Sequence, residues 1–336
     1  MTGIIESDSL SVVKNMDSYD LSGSTVILTG ASGLLGTHIL SVLGQLERLK
    51  RGPEKVFAFS KNNDPVFADP RPKCMESIKQ DLTDRSKSLR LPRVDFVIHA
   101  AGYGQPQKFM ERPISTIDLN TRVTAELIDN LSPSGRFLFV STSEIYSGLD
   151  SPPFKETQVG TTNTDHFRAP YIEGKRCGEA ICISALGGSK RCTAARVALA
   201  YGPGVFHGDD RVIYSFIRQA VENQSIKVAD TGSARRTYCY VTDTVAMLMG
   251  LLLQRDLSGI FNVGGVSHTS IRQLAILVGE LSKCNVEFAV KENASLGAPR
   301  SVAVDTTKID QILGKRDHVS LTEGIMRTLK WWRDCL

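Results

Sequence analysis

A short apolar strand running into three glycines at three-residue spacing narrows the architecture of this chain more than any other stretch. Thr25-Val26-Ile27-Leu28-Thr29 is followed by Gly30-Ala31-Ser32-Gly33-Leu34-Leu35-Gly36, and then by the amphipathic Thr37-His38-Ile39-Leu40. Glycines so spaced allow a tight turn, close backbone approach to a pyrophosphate and tight packing of helix on strand, with helix N–H groups aimed at the anion. The stretch predicts a dinucleotide site at Gly30, Ser32, Gly33, Leu34, Leu35 and Gly36. Further strand patterns at Val56 to Phe59, Asp95 to His99, Arg136 to Val140 and Thr193 to Ala198 alternate with helical stretches, among them Ile114 to Leu131. That order is an α/β fold with a doubly wound parallel sheet.

A chain of 336 residues suits one large domain and a smaller one. The expected organisation is a leader over 1-22, a Rossmann-type domain over 23-201 rejoined by 240-266, and a smaller α/β substrate domain over 202-239 and 267-336. The leader carries one weak helical pattern, Leu10, Val13 and Met16, and no assigned chemistry. Beyond Gly202 a loop-rich segment leads to a helix near Val212 to Glu222 and a strand near Ile226 to Val228. Ser270 with Gln273, and Ser320 with Glu323, open two capped helices whose apolar faces predict core packing, and the Trp331-Trp332 pair reads as a core anchor.

A net charge of +4 is slight for this length, and no basic block alternates with aromatics, so nucleic acid is not an expected partner. Seven scattered cysteines without paired or Cys/His spacing predict a reduced, cytoplasmic protein with no metal site. The N-terminus lacks the order of a signal peptide. The longest apolar run, Val245 to Leu253, is too short for a bilayer.

The chemistry points to Ala169-Pro170-Tyr171-Ile172-Glu173-Gly174-Lys175-Arg176. Tyr171 and Lys175, four apart, share one face of a helix that Pro170 suits as a first-turn residue. The charge of Lys175 is expected to lower the pKa of Tyr171 and favour a phenolate base for hydride transfer. Taken alone, the same spacing also describes an ordinary solvated helix face.

Together, the glycine triplet, Tyr171 with Lys175 downstream and a small C-terminal domain resemble the extended short-chain dehydrogenase/reductase superfamily of NAD-dependent epimerases and dehydratases. That resemblance implies cofactor contacts from Ala100, Ala101 and Gly102 after His99, an adenine contact from Asp81 beside Leu82, and a cofactor-proximal, structural Asn120. Within Ser141-Thr142-Ser143-Glu144-Ile145-Tyr146 it implies that Thr142 binds the hydroxyl being oxidised while Ser143 and Glu144 face neighbouring carbons. The run from Tyr171 to Arg176 is similar to that of UDP-glucuronate decarboxylases, which implies an active-site role for Arg236 and a diphosphate role for Arg211. It also implies a UDP-linked sugar nucleotide as substrate, a homodimer through the Ile114 and Tyr171 helices, and a setting in polysaccharide biosynthesis.

Departures from that pattern are informative. Where NAD-using relatives carry an acid after the second strand, this chain has Ser60, Lys61 and Asn62, which leaves NADP open beside NAD. Leu199 replaces a substrate-binding asparagine, and Gly204-Val205-Phe206 lacks an expected arginine and methionine. The resemblance implies a redox-neutral decarboxylation through a 4-keto sugar. Alternatives are a 4,6-dehydratase with Glu144 as base, a 4-epimerase, an NADPH-dependent 4-keto-sugar reductase, and a non-catalytic NAD(P)-sensing regulator. Tyr171, Lys175 and Thr142 together argue against the regulator. His99 reads as a packed or backbone-bonded histidine beside the cofactor, Glu173 and Arg176 as salt-bridging partners on the exposed side of the helix, and Arg211 as either a solvated loop cation or a phosphate ligand.

Overall fold

The computed structural model describes residues 3–16, 19–87, 91–185, 191–290 and 301–335. Strands β1 (Thr25–Thr29), β2 (Lys55–Ser60), β3 (Met75–Lys79), β4 (Val94–His99), β5 (Leu131–Thr142) and β6 (Arg191–Val197) come first. Then β7 (Ala200–Tyr201), β8 (Ser225–Val228) and β9 (Arg235–Tyr240) lie outside that sheet, and β10 (Gly259–Val263) joins it. Strands β11 (Ser267–Ser270), β12 (Asn285–Phe288) and β13 (Ser301–Val302) follow. The main sheet has seven strands in the order β10-β6-β5-β4-β1-β2-β3, every pairing parallel. The order reverses between β1 and β4, which places the ligand crevice of such sheets there.

The helices are α1 (Gly3–Lys14), α2 (Leu34–Arg48), α3 (Pro106–Glu111), α4 (Pro113–Asn120), α5 (Arg122–Asp129), α6 (Ala169–Ser184), α7 (Val212–Glu222), α8 (Val241–Leu253), α9 (Ile271–Ser282), α10 (Thr307–Leu313) and α11 (Leu321–Asp334). Strand side chains alternate between faces, so Val26 and Leu28 join the core that holds Leu40 and Leu248, while Ile27 joins the one that holds Val123 and Leu127. Both faces of β1 are therefore covered, which explains its unbroken apolar run.

A smaller sheet is built on β9, which pairs with β7, β11 and β13, and β8 pairs separately with β12. Here α9 begins with the reciprocal Ser270/Gln273 capping box. At α11 only the Ser320 half forms, because Glu323 accepts from Arg327 instead. Trp331 and Trp332 are buried, as their position in the sequence suggests.

Two expectations need correction, and one strand of the sheet was not predicted. The stretch Ile114 to Leu131 is not one helix: α4 and α5 are separated at Thr121 (φ −114°, ψ −81°). Asn120, Thr121 and Thr124 each bond the carbonyl four residues back, and such side chains compete with the helical ladder. Strand β3 was not evident because it is a partly exposed edge with few apolar residues. In α1 the packed face carries Ile5, Val12 and Val13, with Leu10 turned to solvent and Asp8 turned inward.

Candidate active site

Between β1 and α2 the three glycines serve different needs. Gly30 has φ +72°, and a Cβ there would lie 2.7 Å from the carbonyl of Ala100. At Gly36 a Cβ would lie 2.2 Å from the Gly30 carbonyl oxygen. Both positions are closed to larger residues by the protein itself. Gly33 instead is exposed and caps α2 without a side-chain bond, leaving the first N–H groups of the helix facing outward. Ser32 and Leu35 are half-buried at that mouth and Leu34 is buried. The cradle suits a pyrophosphate.

The loop of Ala100, Ala101 and Gly102 is fixed from beneath. His99 Nδ1 accepts from Thr29 Oγ1 at 2.7 Å, Nε2–H donates to Leu119 O at 3.0 Å, and the Ala101 N–H donates to Thr29 Oγ1 at 3.1 Å. Burial, with Lys175 close by, pushes His99 down to about 3, so the ring is neutral as that chain requires. His99 is thus a backbone-bonded histidine, as read from the sequence. Gly102 passes 3.7 Å from Lys175 Nζ, measured from its ideal Cβ position.

At the end of β2, Ser60 is buried with its hydroxyl unpaired among the described residues. Lys61 Nζ lies 2.6 Å from Asp81 Oδ2 and donates to Tyr103 Oη at 3.0 Å. Asp81 Oδ1 accepts from the backbone and side chain of Thr83. The Lys61 charge that left NADP open is therefore already answered by Asp81. Leu82 is buried beside the pair, its carbonyl bonded to Arg122. Asn120 is fully buried, donating to Thr116 O, with Oδ1 lacking a donor among the described residues.

Across the crevice, α6 carries Tyr171, 8% exposed, whose ring stacks on Phe109 of α3 at 4.5 Å and 4°. Burial pushes this phenol up to about 12. The Thr142 hydroxyl and the charges of Arg168 and Arg211 pull it down, and Glu144 pushes it up. The phenol is thus raised, where its spacing from Lys175 predicts a lowered value. Lys175 donates to Val140 O of β5 at 2.6 Å, 4.6 Å from the Phe139 ring, and burial lowers its ammonium to about 7.

Thr142 ends β5 and accepts from the Glu144 N–H, capping a single 3-10 turn over Ser143–Tyr146. That turn lines a small cleft in which Ser143, Glu144 and Tyr146 meet Phe154 and Val302. The Glu144 carboxylate is held on both oxygens by Arg168, Nη2 to Oε1 at 2.6 Å and Nε to Oε2 at 3.1 Å. The Arg168 guanidinium in turn lies 5.3 Å from the Phe109 ring. Arg236, half-buried on β9, donates to Arg235 O; burial lowers its proton affinity, and it feels the charges of both Glu144 and Arg168. Arg211 is no solvated loop cation: it forks onto Asp209, bonds Ala200 O, and lies 4.9 Å from the Tyr214 ring.

Sequence reasoning missed Arg168, Phe109 and a closed network behind α6. There Arg196 of β6 grips Glu179 through Nε and Nη2, and its Nη1 bonds Tyr146 Oη and the carbonyls of Glu156 and Gln158. Glu179 stands four residues after Lys175, so continuing the four-residue count past Tyr171 and Lys175 would have reached it. Arg168 has a weaker signal, a cation just before the helix start. Glu173 and Arg176 pair as expected. Elsewhere, Cys239, Asp243 and His318 bring possible metal-ligating atoms together, but the nearby Arg316 charge disfavours a cation there.

The model of the NAD dependent epimerase/dehydratase family matches residues 26–264. The chain belongs to that family. As a family member it is an NAD-dependent, nucleotide-sugar-modifying enzyme, and the glycine cradle, Ser60 and Asp81 fit that cofactor. It is 31% identical over 308 residues to UDP-glucuronic acid decarboxylase 6 of Arabidopsis thaliana, covering 90% of this chain and 87% of the relative. Among solved structures it is similar to MoeE5 in complex with UDP-glucuronic acid and NAD, with TM-score 0.76, 22% identity, and 93% and 100% of the two chains covered. It is also similar to the dTDP-glucose 4,6-dehydratase DesIV of Streptomyces venezuelae, with TM-score 0.78, 21% identity, and 92% and 97% covered. At such identities the structural likenesses speak for the fold. Among the described residues no helix is long and apolar enough to cross a membrane.

Proposed function

We propose that the protein decarboxylates UDP-glucuronate through a 4-keto intermediate, with NAD recycled in each turnover. The charge gathered around Tyr171 carries this reading. Three guanidinium groups, Arg168, Arg211 and Arg236, stand against two carboxylates, Glu144 and Asp209. A cationic surplus suits a substrate bearing both a diphosphate and a carboxylate better than it suits a neutral hexose nucleotide. The identity to a relative named as a UDP-glucuronic acid decarboxylase points the same way.

The turn from Gly30 to Gly36, Ser60, Asp81 and the loop from Ala100 to Gly102 would hold NAD, which when bound supplies a hydride acceptor that also gives the hydride back. Thr142 orients the 4-hydroxyl and Tyr171 takes its proton. The raised proton affinity of Tyr171 makes its phenolate a strong acceptor, and Arg168 and Arg211 ease the ionisation. Oxidation at C4 turns the C6 carboxylate into that of a β-keto acid. The C5–C6 bond breaks, carbon dioxide leaves, and the electron pair delocalises onto the C4 oxygen. A solvent proton reaches C5, and as C4 is reduced again Tyr171 returns its proton to the C4 oxygen.

The dehydratase alternative needs Glu144 as a free base, and Arg168 occupies both of its oxygens. The reductase alternative leaned on Lys61, which is paired with Asp81. A homodimer through α4 and α6 belongs to the same proposal, supported by Ile114 at 74% exposed. A reducing, cytoplasmic setting is supported by seven free cysteines, and polysaccharide precursor supply is the matching role.

The deciding test is the product mass after incubation with UDP-glucuronate and NAD. Loss of carbon dioxide supports the proposal, an unchanged mass with inverted C4 means an epimerase, and no reaction overturns it. Y171F should lower turnover by about 10²–10⁴-fold while leaving NAD binding nearly intact, as measured by calorimetry.

A further inference from the structure

We propose that Arg168 determines which bond to C5 breaks, by holding Glu144 as a fixed carboxylate. This rests on the 4-keto intermediate of the preceding reading and adds a specificity-determining, positioning residue to it. A 4-keto sugar has two exits at C5. In one, a base removes the C5 proton, and the pair passes through the C4 carbonyl and expels hydroxide from C6 of a neutral hexose. The hydride taken from C4 then returns to C6 with a proton to C5, so that the net loss is one water. In the other, the C5–C6 bond gives its pair to the same carbonyl and carbon dioxide departs. Only the first needs a base at C5.

The preceding reading puts Glu144 beside the reacting carbons, and Arg168 takes up a lone pair on each of its oxygens. A bidentate guanidinium holds the carboxylate in one orientation and occupies the lone pairs that a C5 proton would have to reach. The clamp is itself fixed. The Arg168 carbonyl accepts from the Tyr171 and Ile172 N–H groups, its own N–H donates to His166 Nδ1, and its side chain is 7% exposed. Tyr171, Phe109, Arg168 and Glu144 therefore form one continuous column, ring on ring and then cation on carboxylate. The phenol that opens the cycle and the carboxylate kept from acting as a base are registered by the same residue.

The test compares wild type, R168Q, R168K and E144Q/R168Q in D2O with NAD and either UDP-glucuronate or UDP-glucose, followed by mass spectrometry of products and recovered substrate. R168Q should decarboxylate about 10²-fold more slowly, the penalty of a displaced group. The decarboxylated product takes up one solvent deuteron at C5 in every variant. In R168Q the recovered, unreacted substrate should also gain deuterium at C5, and UDP-glucose should yield a product lighter by one water. That exchange should vanish in E144Q/R168Q and be partial in R168K, which keeps the charge without the fork. A merely structural role would slow all reactions without opening the exchange. R168Q with no C5 exchange from either sugar overturns the proposal, and if R168Q does not fold, R168K indistinguishable from wild type does the same. Wild type that releases no carbon dioxide yet acquires C5 exchange on loss of Arg168 would sink the decarboxylase reading alone.

Discussion

Two of the carboxylate–guanidinium pairs at α6, one behind the helix and one at its N-terminal end, differ in what is left over. Behind the helix, the Arg196 and Glu179 side chains are 3% and 5% exposed, every nitrogen of the guanidinium is bonded, and Glu179 also accepts from Ser141. In front of it, Arg168 is 7% exposed while Glu144, at 23%, still faces the cleft. The chemistry of the two pairs is the same. A pair satisfied on all sides ties a strand to a helix, whereas a pair with one open face can meet a ligand.

The sharpest way to break this comparison is R196A. It strands the Glu179 charge in the interior and should lower stability by about 3–5 kcal/mol, measured by urea unfolding. A loss below about 1 kcal/mol would place both pairs in one class. Replacing the closed pair together, as E179L/R196M, should recover most of that loss, since no unmatched charge remains. A double variant no better than R196A would show that the network's other hydrogen bonds dominate. The smallest effect concerns pH. Glu179 raises the proton affinity of the buried Lys175, whose ammonium titrates near 7, with Val140 O, the Phe139 ring, His99 and Cys182 as its other neighbours. Removing that anion disfavours the ammonium. The limb of kcat/KM near pH 7 should therefore move to lower pH in E179Q and stay in place in R168K. Equal shifts would erase the distinction.

How much of this was readable from the residues depended on distance along the chain. The turn from Gly30 to Gly36 and the Ser270/Gln273 box were legible because each constraint acts within one turn of backbone. Lys61 and Asp81 were each readable as cofactor contacts, yet their bond to one another was not, because it depends on β2 lying beside β3. Arg168 and Glu144 are 24 positions apart and meet only once β5 and the start of α6 are in place. The direction of the Tyr171 shift went unread for a related reason: spacing reports which charges share a helix face, whereas burial, the larger influence here, belongs to the whole fold.

Asp8 draws out one more consequence. This interior carboxylate of α1 bonds Tyr240 Oη at 2.7 Å and Arg327 Nη1 at 2.9 Å, partners 232 and 319 positions away. Ribosomes deliver a chain from its N-terminus, so the acid emerges long before either partner, and Arg327 arrives only with α11. Until then Asp8 can have the Tyr240 hydroxyl but not the guanidinium that faces its other oxygen. One interior acid thus ties the N-terminal helix to β9 and to α11 at once.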